Sequence, residues 1–510
     1  MFPSALFSNY GEYADSSASS PIRTIYLDRT QMQWGAIDLE SLIDLDHPAR
    51  TIWEISGELD LSRFEAHCKA REGEAGRPCW PAQLLVSIWI YSYTLGVASA
   101  RAIARMMKHE PGLRWLSADQ EINAHTLGDF RVGHQAALEE MFAQFLGLLD
   151  EAGVVDLRRL LHDGTKVKAV AGRGSYHGLR TLQDRVRQGR KVIRKLDQEA
   201  AAQHEGMDGK HEAAKRRAAR EALQRAQAAL EKLKKLQAEA APSQQQNVRV
   251  SESEPDARRM KQPDGGWALS YNVQVTTEAQ SRMIVGIGVT DAGNDTQELM
   301  PAVEKAQANT GVAPEQVIAD NGYATRANVE QTSERNLELI APWKTDESRE
   351  AGACQRNGIA AAFGPSQFRG QRGGQKLQCP AGKKLILIQQ ITHHGVRNNV
   401  FEARPADCNR CRWRKACCGK RGGPRRVERA VESPAMKQYL ERMQRPEVKQ
   451  LYRKRCEIAE FPHLWAKGVK KWRRFSVRGL VKAGIEALWV AMAYNVSQWL
   501  RIKSAIPVAA

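Results

Sequence analysis

Leu157–Val170 reads LRRLLHDGTKVKAV. A short apolar run broken by His-Asp-Gly predicts a strand that delivers Asp163 at or near its end. Glu315–Thr325, EQVIADNGYAT, repeats the pattern and delivers Asp320. Tyr452–Lys467, YRKRCEIAEFPHLWAK, reads as a helix carrying Glu460. Each carboxylate has an ordinary reading when taken alone. An aspartate after a strand is often a turn former or a cap, and Asp320-Asn321-Gly322 is also a turn signature. Glu460 alone is a surface helix residue, and Glu457, one turn earlier, is a rival for any role it has. As a set they point further. Two strand-borne aspartates and a helical glutamate can hold two divalent ions roughly 4 Å apart, a site suited to in-line phosphoryl transfer. Oxygen donors of this kind favour Mg²⁺, with Mn²⁺ as a substitute.

The bulk properties narrow the partner. At 510 residues and 42% hydrophobic content, the chain has material for two to four structural units. A formal net charge of +18 implies a polyanionic partner, most simply DNA or RNA, with a merely soluble basic protein as the plain alternative. Leu84–Tyr93, LLVSIWIYSY, is the longest apolar run and too short to span a membrane. The first residues lack the layout of a signal peptide, so a cytoplasmic, nucleoid-associated protein is expected. A Walker-type phosphate loop is missing, which argues against ATP-driven chemistry.

The helical and strand periodicities divide the chain. Residues 1–35 are expected to be loosely ordered. Residues 36–150 read as helices throughout, and 98–131 has the layout of a helix-turn-helix-like module, or of any small helical bundle. Residues 155–343 and 436–502 carry the α/β pattern. Its order is strand, helical insert, strand, strand, helix, strand, helix, strand. The insert, 181–245, reads as a helical hairpin or coiled-coil arm turning at HEGMDGKHE. It is either a solvated helix pair or an arm for dimerisation or DNA clamping. Residues 344–435 form a basic, Cys-rich insert.

That insert holds Cys379, Cys408, Cys411, Cys417 and Cys418, five of nine cysteines. The spacing of Cys379, Cys408, Cys411 and Cys417 can form a tetrahedral thiolate site for a structural Zn²⁺, with His393 and His394 as spare ligands and reduced thiols as the alternative. Arg410–Arg429 and Lys467–Arg478, including Arg473 and Arg474, are dense basic runs with Trp413, Trp472 and Phe475 interleaved. Such runs can bind backbone by charge and unpaired bases by stacking, or form a solvated face.

Taken together, these motifs resemble the DDE transposases of bacterial insertion sequences, in the branch with an InsH-like N-terminal domain. The resemblance covers about residues 35–500. Its carriers are GRPCWPAQLLVSIWIYSYTLGVASARAIARMM with TLGDFRVGH, HDGTKVKAVAGRGS, PDARRMKQPDGGWALSYNVQVTTE, IADNGYAT and WRRFSVRGLVKAGIEALWVAMAYNVSQWL. It implies an RNase-H-like mixed-sheet catalytic core with Asp163, Asp320 and Glu460 as the triad holding two Mg²⁺. Tyr452, Arg455 and Lys467 match the family's tyrosine, arginine and lysine around the glutamate, with DNA-facing roles. The family often has Glu-Pro then Phe-Gly at the triad glutamate, whereas this chain reads Glu460-Phe461-Pro462-His463-Leu464. The implied activity is cleavage at element ends and transfer of 3′-OH ends into target DNA, by a homodimer or higher oligomer. The rivals are a metal-dependent nuclease without strand transfer and an inactive or regulatory DNA-binding protein.

Overall fold

The structure is a computed structural model that describes residues 38–66, 78–202, 209–344, 346–371, 374–393 and 396–505. The expected loose N-terminus, most of the 204–212 turn and His394 lie outside these residues.

A mixed sheet stands at the centre. Strand β1 is Arg159–Lys168, β2 Arg258–Lys261, β3 Trp267–Glu278, β4 Ile284–Thr290, β5 Gln316–Ala319 and β6 Glu338–Ile340. Their order is β2-β3-β1-β5-β6, with β4 sharing the β2 edge of β3. Strands β1, β3, β2 and β4 meet antiparallel, whereas β1, β5 and β6 run parallel. A hairpin-connected antiparallel half joined through β1 to a parallel half is the RNase-H-like sheet. The helical insert leaves between β1 and β2, and the Cys-rich insert leaves after β6.

β1 is longer than the sequence implies. Polar residues 162–166 continue the strand because β3 pairs with it from Leu160 to Lys168. Asp163 therefore lies in mid-strand, opposite Val275, rather than at a strand end. Asp320 does follow the last residue of β5.

One apolar core joins the N-terminal helices to the sheet. Helix α1, Ala82–Thr94, is apolar on nearly every face and is accordingly buried. It packs on α5, Leu480–Ala505, which in turn packs on Gln135–Glu151 and β4 within one apolar core. Helix α5 carries buried polar groups that fix its position. Asn495 accepts from Ile284 N and donates to Ile284 O, both at 2.8 Å. Glu486 accepts from Trp472 Nε1 and from the backbone and hydroxyl of Ser476. Arg131, from TLGDFR, donates to Ala98 O and Ser476 Oγ. The widely separated motifs thus meet at one seam.

Helices α2, Leu179–Ala202, and α3, Gly209–Glu239, pack on each other over a small core of Leu182, Ala229, Leu233, Leu236 and Val250. The Cys-rich insert builds a five-stranded antiparallel sheet with its own core around Phe368, Leu385 and Phe401. Seven described cysteines are free thiols, and Cys79 is disulfide-bonded. Among the described residues, no helix is long and apolar enough to cross a membrane.

Candidate active site

The parallel register pairs His162 with Ala319, so Asp163 and Asp320 follow side by side on adjacent strands. Both are half-buried. Burial pushes the Asp163 carboxyl up to about 6. Arg455 opposes that rise, the negative charge of Asp320 adds to it, and the Gly164 N–H, donating at 2.9 Å, opposes it. Asp320 also keeps its turn role, because its Oδ1 accepts from Gly322 N at 2.7 Å.

A ring of buried groups fixes this edge. His162 is fully buried beside Thr276 Oγ1 and Gln274 Oε1, at 2.9 and 2.8 Å. Burial lowers its pKa to about 4, so the ring is neutral. Tyr323 donates to Gln274 Oε1 and sets its ring edge-on against His162. Gln274 in turn donates to Asp295, which also accepts from Lys166 and Asn272. Burial alone would raise Asp295, but the Asn272 amide and Lys166 outweigh it and hold its carboxyl below the usual range. Gly164 is required here. A Cβ on it would stand 2.7 Å from Gln274 Nε2, 2.8 Å from Asp295 Oδ1 and 2.9 Å from Tyr323 Oη. The sequence reading missed Asp295, His162 and Gly164 as site-forming residues. DAGND looks like any loop, and only the sheet register brings it to β1.

The C-terminal helices complete the site in an unexpected form. The run expected as one helix around Glu460 breaks at Lys454 into Pro446–Arg453 and helix α4, Arg455–His463. Tyr452 therefore comes from a separate helix, although it still feels the charges of Arg455, Asp320 and Asp163. Arg455 is buried, with Nη2 3.1 Å from Asp163 Oδ1. His463 Nε2 lies 3.7 Å from Asp163 Oδ2. Burial lowers the His463 pKa to about 3, and its Nε2 has no hydrogen-bond partner. Pro462, which lacks an N–H and crowds the preceding turn, is followed by a π-helical turn at Leu464–Val469. That turn brings Lys467 onto β1, where it donates to Thr165 Oγ1 at 2.6 Å and Lys166 O at 2.7 Å. Burial lowers the Lys467 pKa to about 8, with Lys166 and Arg473 adding to the shift.

Glu460 is not drawn into this cluster. It is exposed, as is Glu457, while Arg455 and His463 on the same helix face Asp163. Among the described residues, no three His, Cys, Asp or Glu side chains are assembled to hold an ion. Asp163 and Asp320 are nonetheless hard oxygen donors of the kind Mg²⁺ takes.

Arg473 and Arg474 are exposed. Their backbone extends the sheet, with Lys168 N donating to Arg473 O and Phe475 N to Lys168 O. Trp472 and Phe475 are buried, so they are core residues and not platforms for bases; their rings pack edge-on against each other, and Phe475 also packs against Tyr271. Trp413 stays exposed.

Residues 378–500 match a family model described as a transposase DDE domain, and residues 37–133 match a transposase domain designated DUF772. Both are transposase domains, consistent with a DDE transposase of an insertion-sequence family. No curated protein matches the chain. Among solved structures, it is similar to a piggyBac transposase in a synaptic complex with hairpin DNA. Identity is 7% and the TM-score 0.25, over 91% of this chain and 83% of that one.

Proposed function

We propose that the protein is a DNA transposase that cleaves at the ends of an insertion sequence and joins the released 3′-OH ends to target DNA. The juxtaposition of Asp163 in β1 with Asp320, which directly follows the parallel neighbour β5, carries this reading, beside the two transposase-domain matches. These aspartates would hold Mg²⁺ or Mn²⁺, with Glu460 as the third carboxylate of a two-ion site. When bound, the ions supply charge stabilisation at the phosphate and an activated water. Arg455, ion-paired with Asp163 in the metal-free protein, would be free to meet a DNA phosphate if a cation took its place. Lys467 holds the β1 backbone beside the aspartates. Tyr452, Arg473 and Arg474 contact the DNA. Strand transfer exchanges one phosphodiester for another, so it needs no ATP. Pairing two element ends calls for a homodimer or higher oligomer on DNA, and a cytoplasmic, nucleoid-associated location follows from the substrate.

One observation favours a second reading. The exposed Glu460 and the Arg455–Asp163 ion pair also suit an inactive, regulatory DNA-binding protein. Mg²⁺-dependent cleavage of DNA that flanks the gene separates the two. Cleavage with joined products is expected, and binding without cleavage would favour the regulatory reading. Cleavage without joining would indicate a nuclease.

A further inference from the structure

Arg425 presents a buried charge that the DNA chemistry does not use. It is 7% exposed, on the segment leading into the strand Arg426–Ala430. Its Nη2 donates to Phe363 O at 3.0 Å, and its guanidinium lies over the Phe368 ring. Its Nε has no hydrogen-bond partner, and none of the described ion pairs includes it. Burying a cation without a counter-charge is costly.

The same guanidinium lines a cavity of about 20 Å³ together with the thiols of Cys379, Cys408, Cys411, Cys417 and Cys418. That is room for one ion or one water. Two sulfurs already accept backbone N–H groups, Cys379 Sγ from Lys383 at 3.2 Å and Cys408 Sγ from Arg425 at 3.5 Å. Cys379 opens a tight turn closed by Cys379 N donating to Lys383 O and by Gly382 N donating to Cys379 O, with Gly382 at φ 82°. Donors aimed at sulfur favour thiolate over thiol.

We infer that this cavity is a structural zinc site, ligated by Cys379, Cys408, Cys411 and Cys417, with Arg425 as the counter-charge of the anionic centre. One Zn²⁺ replaces four thiol protons, leaving a centre of net charge −2 that Arg425 offsets in part. The unpaired guanidinium and the thiol cluster thereby explain each other. No three donors are at ligating separation in the metal-free chain, so loading draws the sulfurs inward. Cys418, buried beside Cys408, stays outside the ligand set as a thiol neighbour. The inference is independent of the proposed DNA chemistry.

The test is elemental analysis of the full chain, purified without chelator from zinc-supplemented cells, with free thiols titrated in parallel. One zinc per chain is expected in the wild type, in Asp320→Asn and in Cys456→Ser, whose thiol is exposed and outside the cluster. The Cys408→Ser/Cys411→Ser double variant should lose it, whereas Cys411→His should keep it. Arg425→Gln should surrender zinc to a chelator about tenfold faster, with Arg425→Lys near wild type. Zinc-free wild type with these thiols free or disulfide-bonded would overturn the inference. So would zinc that persists in the double variant.

Discussion

At the scale of the residue, Asp163 titrates in a useful range. Its folded pKa, about 6, lies above its unfolded value. The metal-free fold is therefore favoured at low pH and loses that contribution as pH rises through about 6. A cation must displace the same proton. Mn²⁺ affinity, measured by calorimetric titration, should fall about tenfold for each pH unit below about 6 and level off above 7. A flat profile from pH 5 to 7.5 would contradict this placement of the carboxylate. Gly164→Ala drives a Cβ into Gln274, Asp295 and Tyr323. Chemical denaturation should show a loss of about 1–3 kcal/mol, with weaker cation binding. Both aspartates stand out in the sequence, since an apolar run followed by Asp is a local pattern, although β1 continues past Asp163. The network of His162, Gln274 and Asp295 does not, because it spans more than a hundred residues and exists only through the β1–β3 register.

At the scale of the element, the succession of strands and helices along the chain was readable from periodicity, with β2 added, whereas their order in the sheet was not. The C-terminal helices were less readable. Charged residues at helical spacing do not reveal the break at Lys454 or the π turn after Pro462. These set which side chains face Asp163, turning Arg455 and His463 inward and Glu460 outward. Helix α5 predicts a separable effect. Asn495 alone pairs both backbone groups of Ile284 on β4. Asn495→Ala leaves a buried donor and acceptor unpaired and should cost about 2–4 kcal/mol of stability in urea denaturation. A loss under about 0.5 kcal/mol would mean that the helix does not clamp β4.

At the scale of the whole molecule, a basic segment adjoins the strand that carries the chemistry. The exposed Arg473 and Arg474 extend from the end of β1, the strand that carries Asp163. If they contact phosphates, Arg473→Gln with Arg474→Gln should lower the slope of log affinity against log salt by about 2, read by fluorescence anisotropy. An unchanged slope would make them a solvated face. The net charge announced a polyanion from composition alone, but not where it docks. Trp472 and Phe475 looked available from sequence and proved to be core, because Tyr271 of β3 and the Glu486 carboxylate of α5 draw them in through contacts remote in sequence. The central claim is that Asp163 and Asp320 form one cation-dependent nuclease centre. The direct measurement is Mg²⁺-dependent cleavage of plasmid DNA carrying the gene's flanks, comparing wild type with Asp320→Asn at matched DNA binding. Cleavage at defined ends by wild type alone is predicted. Equal cleavage by both proteins, or none by either with binding intact, would contradict it.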